Sequence, residues 1–265
     1  MTVPTHPAQQ ARPAASTIDR MTSPDASSPP AGPSDNAPVD PPVSPPSADP
    51  VIAETRAWLR RSVIGLNLCP FAKAPEAKGQ VRYVVSDVTD VESLLAVLCV
   101  ELQRLADTDA SVVETTLLIH PAVLGDFEDF NDFLEVADAA VEQLQLEGVL
   151  QVASFHPAFQ FADTAPADVS NATNRAPYPT LHLLREESVD RAVAAFPEAE
   201  RIFEANIATM EALGRDGWAT LQEAWRADAR AEVAAAAAAT AARAGGAGMP
   251  DTQGPSGPSG TPTAP

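Results

Sequence analysis

The sequence predicts one α/β domain over residues 52–230, built on a mixed, mostly parallel sheet of about four strands with helices. Four short β-rich runs alternate with longer segments whose apolar residues recur at helical spacing, which is the pattern of strand–helix–strand units. Acidic or hydroxyl residues stand where helices should begin, and glycines where they should stop. Proline is also unevenly spread, with thirteen of 26 in residues 1–50 and five after residue 230. The 179 residues between are enough for one core.

Asp49-Pro50 reads as an N-cap with proline at the first helical position. Ile52, Leu59, Val63 and Leu66 then follow a helical stripe that Gly65 is placed to end. Residues 66–79 (LNLCPFAKAPEAKG) read as a polar turn and 80–86 (QVRYVVS) as a strand. Thr89-Asp90-Val91-Glu92 reads as a capping box before a helix burying Leu95, Leu98, Leu102 and Leu105. Residues 115–120 (TTLLIH) are a buried strand. Asp126 caps the next helix, with Phe127, Phe130, Leu134, Ala137, Val141 and Leu144 on one stripe and Gly148 as its stop. Residues 149–155 (VLQVASF) and 180–184 (TLHLL) are the last strands, joined by a long connection over 157–179. Helices begin near Ser188, Pro197 and Asp216. The order is α-β-α-β-α-β-β-α. Residues 1–50 read as a disordered tail rich in Pro, Ala and Ser. Residues 231–265 read as an Ala-rich helix end and a disordered Pro/Gly tail, since such compositions bury too little surface to offset chain entropy.

The N-terminal segment lacks an apolar signal core, and no run approaches the roughly 20 apolar residues of a membrane span. The only two cysteines, Cys69 and Cys99, sit in unlike contexts, so the expectation is a reducing, cytoplasmic setting. The net charge is −19. The tails contribute −3 and −1 of this, leaving −15 on the domain. Nucleic-acid binding relies on basic side chains that neutralise phosphate, so that class is excluded. Thirteen acidic residues and no Lys or Arg lie between Leu105 and Asn174. Both lysines, Lys73 and Lys78, lie close after Cys69, with Arg56, Arg60, Arg61 and Arg82 near in sequence. That asymmetry reads as a solvated acidic face, or as a basic end that meets a small anion.

Two strands end alike, in Leu118-Ile119-His120-Pro121-Ala122 and Ser154-Phe155-His156-Pro157-Ala158. Proline biases the residue before it to an extended conformation, so each histidine prolongs its strand to the rim. Ligands of open parallel sheets bind beyond the carboxyl ends of the strands. If these two strands are neighbours, His120 and His156 face one crevice and could move protons or hold a metal. The plainer alternative is that each bonds a loop carbonyl. His182, within 180–184, is either a core histidine or a third member. Cys69 before Pro70, with lysines near, is a nucleophile, a metal ligand or a buried structural thiol. Cys99 reads as core. The 157–179 connection is long enough to suggest function. Asn171, Asn174, Arg175 and Tyr178, with Lys73, are candidate substrate-binding groups, Arg175 offering a fork for carboxylate or phosphate. Asn and Thr there also fit a scaffold role, bonding their own backbone.

The words Val63-Ile64-Gly65-Leu66-Asn67-Leu68-Cys69-Pro70-Phe71-Ala72-Lys73, Phe155-His156-Pro157, Asn174-Arg175-Ala176-Pro177-Tyr178-Pro179 and Leu181-His182-Leu183-Leu184-Arg185-Glu186 resemble an uncharacterised bacterial family, the domain-of-unknown-function family numbered 1415. The resemblance covers roughly residues 52–195. It implies no activity, cofactor or catalytic residue.

Three functions are therefore in play. The first is an enzyme, metal- or acid/base-assisted, acting on a small anionic substrate. Its catalytic residues would be His120, His156 and Cys69, and its metal set His120, His156, Cys69 and His182, with zinc the first choice and iron the next. The second is a non-catalytic protein binding a small anion or a partner. The third is a thiol protein of thioredoxin-like shape. The succession of elements and Pro179, at the place of that fold's cis-proline, suit this third reading. The Cys-Pro motif does not, because it precedes the first strand instead of following it.

Overall fold

The computed structural model describes residues 49–195 and 201–246. Of the tails expected over 1–50 and 231–265, residues 1–48 and 247–265 lie outside the described residues, as does the helix start expected at Pro197, while 231–246 continue α6 as the expected Ala-rich helix end.

Asp49 caps α1 (Pro50–Trp58), its carboxylate accepting the backbone N–H of Val51 and Ile52. The helix continues as a π-helical segment, Leu59–Ile64, and turns at Gly65. A Cβ on Gly65 would stand 2.2 Å from the carbonyl oxygen of Arg61, so this close approach needs glycine. The expected polar turn contains a short helix, α2 (Lys73–Ala77). Then come β1 (Val81–Val85), α3 (Val91–Asp107), β2 (Thr115–Ile119), α4 (Phe127–Gln143) and β3 (Leu150–Phe155). A 3₁₀ helix (Val169–Asn174) lies in the long connection before β4 (Thr180–Arg185), α5 (Glu186–Ala195) and α6 (Ile202–Gly246).

Two local expectations shift by one residue. The cap of α3 is Asp90 rather than Thr89, its side chain accepting the N–H of Ser93. Leu94, not Leu95, is the fully buried residue of its first turn. The helix start expected near Asp216 lies two residues past a break within α6. Gly214, at φ 67° and ψ 177°, breaks the helical path inside α6.

The sheet has the order β1-β2-β4-β3. β1 and β2 are parallel, while β4 is antiparallel to both β2 and β3. Three strands thus share a direction, yet only one of the three pairings is parallel. β4 inserts between β2 and β3, so the histidine-bearing strands are not the neighbours the sequence suggested. No cis peptide bond occurs among the described residues, so Pro179 lacks the cis geometry of the thioredoxin-like reading.

Side chains alternate across this sheet, and each face has its own core. One face carries Leu118, Leu150, Val152, Leu181 and Leu183 against Leu94, Leu98 and Leu102 of α3 and Phe130 and Phe133 of α4. Against the other lie Trp58 of α1 and Met210, Trp218 and Trp225 of α6, with Tyr83 and Phe155 packed beside them. Burial of each such aliphatic side chain is worth about 1.5–3 kcal/mol, which makes this two-sided burial the main support of the fold.

Candidate functional site

The carboxyl ends of β2 and β3 lie at one rim, and the 157–179 connection closes over it. Two backbone bonds hold the connection there: His120 N–H donates to Pro179 O (3.1 Å) and His156 N–H to Asn174 O (3.2 Å). The histidines meet although their strands are not adjacent, because Phe130 stands between them. Its ring centroid is 5.8 Å from that of His120 and 5.0 Å from that of His156. The turn over residues 121–125 then engages both rings. His120 Nδ1–H donates to Val123 O (3.0 Å), and His156 Nε2–H donates to Leu124 O (3.2 Å). Leu124 takes φ 56°, a left-handed conformation uncommon for a leucine.

The two rings differ in what remains free. His156 also accepts the Ala158 N–H at Nδ1 (3.1 Å), so both of its nitrogens are occupied. This is the loop-binding alternative, and it leaves no lone pair for a metal or a proton. His120 is fully buried, and its Nδ1 proton is directed to a carbonyl, so Nε2 carries the lone pair. Nε2 has no hydrogen-bond partner among the described residues. Burial, reinforced by nearby His156, pushes the pKa of His120 down to about 4. Burial likewise lowers His156. Both rings are neutral at pH 7.

Ser86 is a residue that sequence reasoning passed over. Its N–H donates to Ile119 O (2.8 Å), continuing the parallel ladder past β1. With Val85 opposite Ile119, Ser86 stands opposite His120 on the same face, roughly 5 Å away at the usual strand spacing. Its hydroxyl is also buried and without a partner among the described residues. The only signal was its place as the last residue of the run QVRYVVS. Thr116, earlier on that face of β2, has a second such hydroxyl.

The remaining candidates disperse. His182 pairs with Leu117 and Ala153 in the sheet, on the face opposite Leu118 and Leu181. Thr115 Oγ1 donates to Leu183 O (2.6 Å), so His182 Nε2–H donates to Thr115 Oγ1 (2.8 Å). With Phe155 also against its ring, this is a core histidine, and burial lowers its pKa to about 4. Cys69 packs on the Trp58 core of that same second face. Burial raises its thiol pKa, against smaller lowering contributions from the backbone N–H groups of Phe71 and Ala72. Lys73 and Lys78 are exposed. Burial thus outweighs any nearby cation at this thiol, which favours the buried structural alternative over the nucleophile. The sheet separates Cys69 and His182 from His120 and His156. Among the described residues no three His, Cys, Asp or Glu side chains converge on a point that could hold a metal. The expected four-ligand set is corrected on that ground. Cys99 is half-buried against the α3/α4 core, where it was expected.

The polar groups of the long connection mostly hold the connection itself. Asn171 is fully buried, its Oδ1 accepting from Phe161 N–H and Thr164 Oγ1 (both 2.9 Å) and its Nδ2 donating to Ala165 O (2.9 Å). Asn174 Nδ2 donates to Ser154 O (3.4 Å). Tyr178 Oη donates to Glu54 (2.9 Å), and burial with that carboxylate raises its pKa to about 12. Arg175 donates to Phe159 O (3.1 Å) and Pro166 O (2.8 Å). The basic end is also internally paired: Arg56 with Glu232, Arg60 with Glu76, Arg61 with Asp228 and Arg82 with Glu101. An anion there would compete with carboxylates already in place.

Comparison with known proteins gives no match among curated proteins and none among solved structures. The family described as "Protein of unknown function (DUF1415)" matches residues 50–220, well over half of the chain, and the chain belongs to this family.

Proposed function

We propose that the protein is an acid/base-assisted enzyme in which His120 Nε2 accepts a proton from a small molecule bound beyond the carboxyl ends of β1 and β2. The observation that carries this reading is the unpartnered lone pair of a buried imidazole whose other nitrogen is fixed by Val123 O. A buried polar atom without a partner costs free energy, and functional sites are where such a cost is retained. Ser86 would supply a hydroxyl donor to the same molecule. His156 positions the turn that orients His120 and does not itself exchange protons. Both cysteines are free, which supports a reducing compartment and, with the expectations above, a cytoplasmic setting. No helix among the described residues is long and apolar enough to cross a membrane.

The test is a panel of small esters, thioesters, lactones and oxo acids incubated with the full chain and with His120→Gln. One class should be turned over, and the variant should be slower by about 10²-fold or more. The base is active when neutral, so the rate should rise as pH passes upward through about 4 and stay level above. Turnover of no class, or equal rates for the two proteins, would overturn the reading.

A further inference from the structure

We propose that the cavity between the 3₁₀ helix and α6 is a second ligand site, which takes a small monocarboxylate with an apolar body. It lies on the α1/α6 side of the sheet, so the proposal is independent of His120. The cavity measures about 190 Å³ and is lined by Asp168, Val169, Ala172, Arg175, Arg215 and Trp218. Typical ligand pockets measure roughly 300–1,000 Å³, so this one suits a small molecule.

Charge decides the head group. Two guanidinium groups face one carboxylate around the cavity, for a local balance of +1. The Asp168 carboxylate is already engaged as the cap of the 3₁₀ helix, accepting Ser170 N–H (2.9 Å), with Arg215 close enough to stabilise its charge. Arg175 is half-buried and held by the carbonyls of Phe159 and Pro166, which use two of its five N–H donors. A guanidinium held in this way loses little freedom on meeting an anion. Arg215 is exposed and follows the break at Gly214, which ends the preceding helical path next to the cavity. A carboxylate matches the planar donors of arginine.

Shape and wall chemistry decide the body. Val169, Ala172 and the indole of Trp218 form an apolar wall, and Trp218 is braced edge-on by Trp225 at 5.2 Å. A strongly hydrated anion such as inorganic phosphate would leave this wall unused and would stand against Asp168. A short aliphatic carboxylate uses both halves of the cavity.

The experiment is a titration of intrinsic tryptophan fluorescence in the full chain with hexanoate, 1-hexanol and inorganic phosphate. Trp58 and Trp225 are almost wholly buried, and Trp218 is the tryptophan that lines the cavity. Hexanoate should give a saturable change that Trp218→Phe abolishes and Trp225→Phe retains. Arg215→Ala, at an exposed position that leaves the fold intact, should weaken hexanoate by about 10-fold or more, the scale of a lost charged hydrogen bond. Hexanol and phosphate should each bind at least about 10-fold more weakly than hexanoate. An unsaturable response, equal affinity for hexanol or phosphate, or an unchanged affinity in Arg215→Ala would overturn the proposal. None of these outcomes bears on the catalytic reading, whose test is the rate of His120→Gln.

Discussion

Residue chemistry here depends on which hydrogen-bond capacity a side chain has left over. His120 and His156 come from near-identical words, yet one retains a free nitrogen and the other has none. The difference lies in the Ala158 N–H, which reaches His156 Nδ1, while Nδ1 of His120 is the nitrogen turned to Val123 O. Cys69 shows how nearness in sequence misleads about a thiol. Lysines four and nine positions away suggested a depressed pKa, but their exposed side chains do not offset burial of the sulfur. Cys69 should therefore alkylate with iodoacetamide at pH 7 more slowly than a free model thiol. Equal or faster labelling would restore the thiol reading.

Helices and strands were largely legible at the level of caps, stripes and stops. Asp49 and Asp126 cap where a side-chain oxygen can reach the N–H groups one turn on, a local matter of two or three residues. The helix start expected near Asp216 placed the break to within two residues, although Gly214 itself was not singled out, because nothing around it looks like a turn. Its φ of 67° with ψ of 177° is a conformation essentially restricted to glycine. Gly214→Ala should destabilise the protein by about 1–3 kcal/mol, read as a thermal midpoint lower by several degrees in circular dichroism. An unchanged midpoint would mean that α6 straightens at no cost. The break also sets where Arg215 stands relative to the 3₁₀ helix, so a local backbone feature decides the shape of the carboxylate cavity.

At the scale of the whole molecule, buried neutral histidines couple the fold to pH. The ordinary imidazole pKa near 6.5 applies in the unfolded chain, whereas His120 and His182 are lowered to about 4 in the folded one. Between these values the unfolded chain binds more protons, so stability falls as pH drops from about 6.5 towards about 4. For His120 alone the loss is on the order of 3 kcal/mol, with His182 acting in the same direction. Denaturant midpoints measured across that window should fall steadily on acidification, and His182→Gln should flatten the slope. A midpoint independent of pH there would show that both rings titrate normally.

The sequence by itself determined the α/β class, the four strands, most helix limits and the placing of His120 and His156 at one rim. Each of these depends on neighbours a few residues apart: alternation, helical period, capping oxygens and the extended residue before a proline. Only the tertiary structure decided that β4 runs between β2 and β3, because antiparallel and parallel partners leave the same alternation in a strand. That one insertion, with its register, put His182 and Cys69 across the sheet from the other two histidines and dissolved the expected metal set. Pairing across distant segments likewise placed Ser86 opposite His120 and brought Arg215 and Trp218 to Arg175. A one-residue change of register moves a side chain to the other face of a sheet, and register is a property of two strands, written in neither alone.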